Sequence, residues 1–270
     1  MIRATIIIAA VLSAASVCPA YPYTAPFPGD FTDTSEKTEV PCNKAMTGKT
    51  MVALAFGQSN SANYGQTLMA TKRNAYNFYD SKCYKAADPM LGATRNGGSV
   101  WTRLGDMLIE SGTYDNVIFV TIGVGGSEVK RWAPDGDLNG RIADVARQLE
   151  QKKLKLTHLL WHQGESDLHI KTPKDEYKRM FMAMFAGIRK LGIDAPIYVA
   201  VATHCGGGGF GGGIQSAQRE LVNPALKIYP GADSDKLAGI EDRYDDCHFS
   251  ASGLKKHAEM WFNAIKLSGK

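Results

Sequence analysis

Four short apolar runs, each followed by a stretch with helical spacing, constrain this chain most. The runs are 51–56 (Met-Val-Ala-Leu-Ala-Phe), 116–122 (Asn-Val-Ile-Phe-Val-Thr-Ile), 156–161 and 196–203. They are too short for buried helices and two of them stop at a glycine, Gly57 and Gly123, so they read as strands covered on both faces. Helices are predicted over 100–111 (Leu104, Met107, Leu108), 138–153, 173–191, 214–222 and 252–267 (Leu254, Met260, Trp261, Ile265). Thr172 reads as the N-cap of the third helix, with Pro173 at its first position. Strands alternating with helices predict an α/β domain with a parallel sheet between helical layers. Such sheets bind ligands outside the carboxyl ends of their strands.

The remaining segments set the boundaries. Arg3, the apolar run 4–17 and Cys18-Pro19-Ala20 have the layout of a secretory signal, so 1–20 is expected to be removed. The alternatives are a membrane anchor, for which the run is too short, and a lipid-modified Cys18. Residues 21–49, rich in Pro, Thr and acidic side chains, read as an extended leading segment. Residues 50–270 form one expected domain, with 66–98 a long insertion lacking clear periodicity. Without the signal, four cysteines remain, Cys42, Cys83, Cys205 and Cys247, an even set for an oxidising, secreted or periplasmic location. Three pairings are possible. Cys205–Cys247 and Cys42–Cys83 are favoured over the others and over four free thiols, because Cys205 follows a strand and Cys247 lies in a candidate acid-base segment.

A formal charge of +4 is small for 270 residues, and the pairs Lys152-Lys153 and Lys255-Lys256 read as solvated faces, not as a nucleic-acid footprint. No stretch after the signal has the length of a membrane span, so no stable membrane insertion is expected of the mature chain.

Four segments carry side chains suited to acyl transfer. Ser59, in Gly57-Gln58-Ser59-Asn60, follows the first strand and can expose its hydroxyl beside free backbone N–H groups; its plain alternative is a helix cap. Gly126, with Gly125 as the alternative, follows the second strand and can offer an N–H to an oxyanion. Gln163, in Trp161-His162-Gln163-Gly164-Glu165-Ser166-Asp167, can add an amide donor, or be a satisfied structural amide. His248 is the candidate base, oriented by Asp245 three residues before it, with Asp246 the rival. Gln58, Asn60, Trp132 and Glu165 are assigned to supporting or substrate-lining roles. His158 and His162 lie four apart on a strand and hint at zinc, but no third ligand is apparent, so no metal is expected. The stretch 206–213 formally contains G-x-G-x-x-G, which any run so rich in glycine would; it reads as a loop beside the site, not as a nucleotide fingerprint.

Together these segments resemble the SGNH hydrolase superfamily, and within it the sialate O-acetylesterase and carbohydrate-esterase branch. Gly57-Gln58-Ser59-Asn60 is similar to the nucleophile block, and Gly125-Gly126-Ser127 with Trp132 to the second. Trp161–Asp167 resembles the third, and Asp245-x-x-His248 with Phe249 and Gly253 the last. The resemblance runs from about Met51 to the end of the chain. It implies a flavodoxin-like three-layer α/β/α fold, no metal or organic cofactor, and removal of acetyl groups from sugars. The glycine-rich loop and Cys247 depart from the family pattern. The expectation is an exported serine esterase acting on O-acetylated sugar or polysaccharide through Ser59, His248 and Asp245. The alternatives are an acetyltransferase or another ester or thioester hydrolase on the same fold, and a carbohydrate-binding module with a vestigial site.

Overall fold

The computed structural model describes residues 26–207 and 211–268. The expected signal, 1–20, lies outside the described residues. Eight strands form one sheet in the order β1-β4-β3-β5-β2-β6-β7-β8. The strands are β1 (Glu39–Val40), β2 (Thr50–Gly57), β3 (Ala75–Tyr79), β4 (Lys82–Lys85), β5 (Asn116–Thr121), β6 (His158–His162), β7 (Ile197–Val201) and β8 (Ile228–Asp233). The helices are α1 (Val100–Glu110), α2 (Asn139–Gln151), α3 (Glu165–His169), α4 (Lys174–Lys190), α5 (Gly212–Glu220) and α6 (Ala251–Ser268).

The period-2 alternation of a strand explains the layering. Along β2, Met51, Ala53 and Ala55 face one cluster with Trp101, Leu104, Leu254 and Trp261, supplied by α1 and α6. Val52, Leu54 and Phe56 face the other, with Trp132, Ile142, Trp161 and Phe181, against α2 and α4. Both faces of the central strands are therefore apolar, which is why these strands appear in the sequence as unbroken apolar runs. This is the three-layer α/β/α sandwich expected.

The sheet is not parallel throughout. β3 pairs parallel with β5, but β4 pairs antiparallel with β3 and β1 antiparallel with β4. The segment 66–98, read as an insertion without clear periodicity, thus contains a hairpin. Its turn, Asp80-Ser81, has both φ angles positive (47° and 60°), as a two-residue hairpin turn of the primed type requires. Without the usual glycine at the second position, that turn is hard to recognise from sequence. β8 is a further strand not anticipated, because Pro230 and Gly231 interrupt it; an edge strand tolerates both. The helix over 174–190 begins one residue later than expected. Pro173 occupies the cap with extended backbone, and the Thr172 hydroxyl donates to Asp167 (2.7 Å) instead of capping.

Both favoured disulfides are present, Cys42–Cys83 and Cys205–Cys247. The first fastens the leading segment to β4. That segment also docks through a buried pair, Asp30 with Arg141 (2.8 Å). Among the described residues, no helix is long and apolar enough to cross a membrane.

Candidate active site

The carboxyl ends of β2, β5, β6 and β7 lie at the same end of the sheet; the first three predicted blocks leave β2, β5 and β6, and the Cys205 loop leaves β7. β2 ends at Gly57 with φ +124°, where a Cβ would lie 2.0 Å from the His162 carbonyl oxygen, so only glycine lets β2 and β6 close together here. Gln58 follows in extended conformation, and Ser59–Ser61 form a single 3-10 turn. This turn lifts Ser59 out of the sheet while leaving it 5 % exposed. Its backbone N–H has no acceptor among the described residues, as expected for the first residue of a helical turn.

The acid-base turn follows the 3-10 turn Ser234–Lys236 and an irregular loop. Asp245 Oδ2 accepts from His248 Nδ1 (2.7 Å), and Oδ1 accepts from the backbone N–H of His248 (2.6 Å) and of Cys247 (3.1 Å). Burial pushes the Asp245 carboxyl up, but the hydrogen bonds from the His248 ring and the two backbone N–H groups outweigh it and hold the group below its usual range. Asp246, the rival orienter, has φ +61° and turns away, with Oδ1 3.1 Å from His204 Nε2.

Two contacts join the nucleophile segment to the acid-base turn, through Asn60 and Tyr64, and Arg243 braces the acid-base turn from below. Asn60 Nδ2 donates to the Cys247 carbonyl (3.2 Å) and to Glu165 (2.9 Å). The buried guanidinium of Arg243 donates to the carbonyls of Cys247, Leu237 and Ser234. Tyr64, five residues after Ser59, stacks on the His248 ring at 4.8 Å. Arg243 and Tyr64 were not singled out from sequence. A buried arginine near a candidate histidine is the only signal that could have suggested the first, and a stacking tyrosine leaves none.

The oxyanion donors differ from expectation. Gly125 N–H is committed to Thr94 Oγ1 (2.9 Å), which removes the alternative donor. Gly126 N–H has no acceptor among the described residues, and its φ of +68° is one that favours glycine. Gln163 is fully buried, and its amide nitrogen faces Asp167 Oδ2 (2.5 Å), the Ser127 carbonyl (3.1 Å) and Gln58 Oε1 (3.2 Å). Both amide hydrogens therefore already have acceptors in this arrangement, where Gln163 braces Asp167 and the Ser127 carbonyl. The physical reason is burial: a side-chain amide with no access to water takes the acceptors within reach.

The supporting residues behave as structural parts. Gln58 Oε1 accepts from the N–H groups of Gly164 (3.2 Å) and Ser166 (3.1 Å), anchoring the third block to the first. Trp132 is fully buried and its indole donates to Ser127 Oγ (3.0 Å), so it belongs to the core and lines no substrate cleft. Glu165 is buried, and burial raises its carboxyl above the usual range, with the Asn60 hydrogen bond opposing.

His158 and His162 are buried structural histidines. His158 bonds Thr157 (2.8 Å) and Tyr114 (3.3 Å), and His162 bonds Ser234 (3.0 Å). Desolvation lowers them to about 4 and about 3 respectively. No group of three or more metal-ligating side chains occurs among the described residues.

The loop after β7 is organised by Asp235, whose Oδ1 accepts from the N–H groups of Thr203 (2.7 Å) and His204 (3.0 Å). The Cys205–Cys247 disulfide and a Gly206 N–H bond to the Asp246 carbonyl (2.9 Å) tie this loop to the acid-base turn. A cleft of about 510 Å³ opens beside Tyr64 and Gly125, walled by residues 27–31 of the leading segment and by Thr94, Arg95 and Asn96.

Residues 49–266 match the family described as "Carbohydrate esterase, sialic acid-specific acetylesterase". The chain belongs to that family. It is accordingly a carboxylic ester hydrolase with the SGNH fold. Solved structures agree on the fold. A protein of Arabidopsis thaliana is similar over 82 % of this chain and 98 % of its own, with 16 % identity and a TM-score of 0.66. NanS is similar over 82 % and 98 %, with 14 % identity and a TM-score of 0.58. XAC1771, a carbohydrate acetylesterase from Xanthomonas citri, is similar over 82 % of this chain and 57 % of its own, with 18 % identity and a TM-score of 0.51. No curated protein sequence matches the chain.

Proposed function

We propose that this family member is an exported serine esterase that removes O-acetyl groups from carbohydrate through Ser59, His248 and Asp245. The observation that supports this most is the pairing of Asp245 with His248 Nδ1 (2.7 Å), which assigns the proton-accepting role to Nε2, 3.8 Å from Cys247 Sγ. Ser59 Oγ attacks the ester carbonyl carbon and its proton passes to His248 Nε2. The carbonyl oxygen, now negative, accepts from the N–H groups of Ser59 and Gly126, which are otherwise unused among the described residues. The C–O bond to the sugar breaks, and the alkoxide takes the proton from His248. Water then attacks the acetyl-enzyme by the same relay and releases acetate. Export rests on the signal-like amino end and fits two disulfides.

Acetate release from a small acetyl ester and acetylated sugars, by the mature protein and its Ser59→Ala variant, tests the reading. Turnover by the parent and loss in the variant is the expected result; equal turnover by both would remove Ser59 from the chemistry. The amino-terminal sequence of protein recovered outside the cytoplasm is expected to begin at Tyr21.

A further inference from the structure

We infer that Thr94 is a positioning residue for ester hydrolysis, its hydroxyl fixing through Gly125 where the Gly126 N–H points; this rests on the esterase reading above. Two successive glycines have no β-carbons to restrict their backbone, so a donor carried on Gly125-Gly126 needs an outside anchor. Thr94 supplies it. Its buried hydroxyl accepts from the Gly125 N–H (2.9 Å) and donates to the Gly123 carbonyl (3.4 Å). Its backbone N–H donates to that same carbonyl (3.0 Å). The loop that leaves β5 is thus gripped immediately before Gly126. Immediately after it, Ser127 is held by the Val124 carbonyl (3.3 Å) through its N–H and by the Gly57 carbonyl (3.2 Å) through its hydroxyl. Gly126 N–H, with no acceptor of its own among the described residues, takes its direction from these two anchors.

Thr94 is itself fixed to the segment that bears Ser59. Its carbonyl accepts from the Asn63 N–H (3.1 Å), and the buried Asn63 amide clamps both neighbours, donating to the carbonyls of Ala93 (3.1 Å) and Arg95 (3.3 Å). From the other side the leading segment pairs with it. Asp30 and Thr94 form an antiparallel bridge, Phe31 N–H donates to the Ala93 carbonyl (2.8 Å) and Arg95 N–H to the Gly29 carbonyl (3.0 Å). The glycine loop also packs directly on the nucleophile segment. A β-carbon at Gly123 would lie 3.0 Å from the Ser61 carbonyl, and one at Gly125 would overlap the Tyr64 hydroxyl. The spacing of the Ser59 and Gly126 donors is therefore set through Thr94. An oxyanion hole works because its donors are in place before charge develops, so a donor displaced by about 1 Å loses much of its effect.

The test compares the parent with Thr94→Val, which keeps the shape and both backbone bonds but not the hydroxyl, and with Thr94→Ser, which restores it. The readouts are kcat and KM on a small acetyl ester and the inhibition constant of a short alkylboronic acid, whose tetrahedral adduct with a serine places an oxygen in the hole. KM and the inhibition constant do not depend on the fraction of protein folded. Thr94→Val is expected to lower kcat roughly ten- to hundredfold, less than outright loss of a donor, with KM within about twofold. It should weaken the boronate by a similar factor, and Thr94→Ser should return both to within a few-fold of the parent. Unmoved kcat and inhibition, a change carried by KM alone, or a serine variant no better than valine would overturn the inference. Should the valine variant not fold, Thr94→Ala is read by the same outcomes. Should the parent hydrolyse no ester, the esterase reading fails separately and amide hydrogen exchange decides the positioning. Faster exchange at Gly125 with a shifted Gly126 resonance in Thr94→Val, both restored by serine, would support it; unchanged amides would end it.

Discussion

His248 takes its orientation from Asp245 because the two backbone N–H groups of 247 and 248 and the imidazole converge on one carboxylate. Asp246, one residue on, is turned by its left-handed backbone towards His204. Asp245→Asn is therefore expected to lower kcat by roughly 10³–10⁴, because an amide no longer fixes the tautomer or supports the imidazolium. Asp246→Asn should stay within a few-fold of the parent, and turnover of a small acetyl ester compares the two. Gln163 holds Asp167 and the Ser127 carbonyl, so Gln163→Ala leaves buried acceptors unpaired and should cost about 1–3 kcal/mol in urea unfolding. A variant with parental stability and lowered kcat would return Gln163 to the oxyanion hole. Sequence motifs identified Ser59, Gly126, Asp245 and His248 as candidates because glycines and acid-base pairs leave local patterns. They carry no sign that Gln163 and Gly125 direct their N–H groups to structural acceptors, since which hydrogens remain free depends on neighbours far along the chain.

The β3–β4 hairpin illustrates what an element hides from its own sequence. Its Asp80-Ser81 turn requires positive φ at both positions, and Ser81 bears a β-carbon in that region. Ser81→Gly is expected to stabilise the fold by about 1 kcal/mol, seen as a higher melting temperature, with its N–H bond to Gln148 kept. The Cys42–Cys83 disulfide joins this hairpin to the leading segment across 41 residues. Replacing both cysteines by serine should cost about 2–4 kcal/mol by freeing the unfolded chain, measured as a lower denaturant midpoint. An unchanged midpoint would mean that Asp30–Arg141 and β1 alone hold the segment.

Across the whole molecule, acid should be destabilising well above the carboxylate range. His158 and His162 titrate at about 4 and about 3 in the folded chain, and His257 also lies well below its usual value, each because burial penalises the imidazolium. In the unfolded chain they take up protons near pH 6.5. Between about pH 6.5 and 4 these histidines bind more protons in the unfolded state, so their contribution to stability falls as pH drops, offset in part by buried carboxyls such as Glu165 that burial holds above their usual range. At roughly 1.4 kcal/mol per histidine per pH unit, the denaturant midpoint at pH 5 should lie well below that at pH 7.5; a flat profile would mean that these rings already reach water. Asp245, whose carboxyl is held low, adds a further loss only below pH 4. The sequence by itself determined the layer architecture, because strands buried on two faces must be apolar throughout and amphipathic helices must cover them. Three candidate blocks are legible because each follows a strand end, and the fourth because an acid three residues before a histidine is a local pattern. Long-range packing settles which donors stay free, that a hairpin and β8 complete the sheet, and that the leading segment walls a cleft. Those outcomes depend on which distant groups meet, and local spacing carries no record of that.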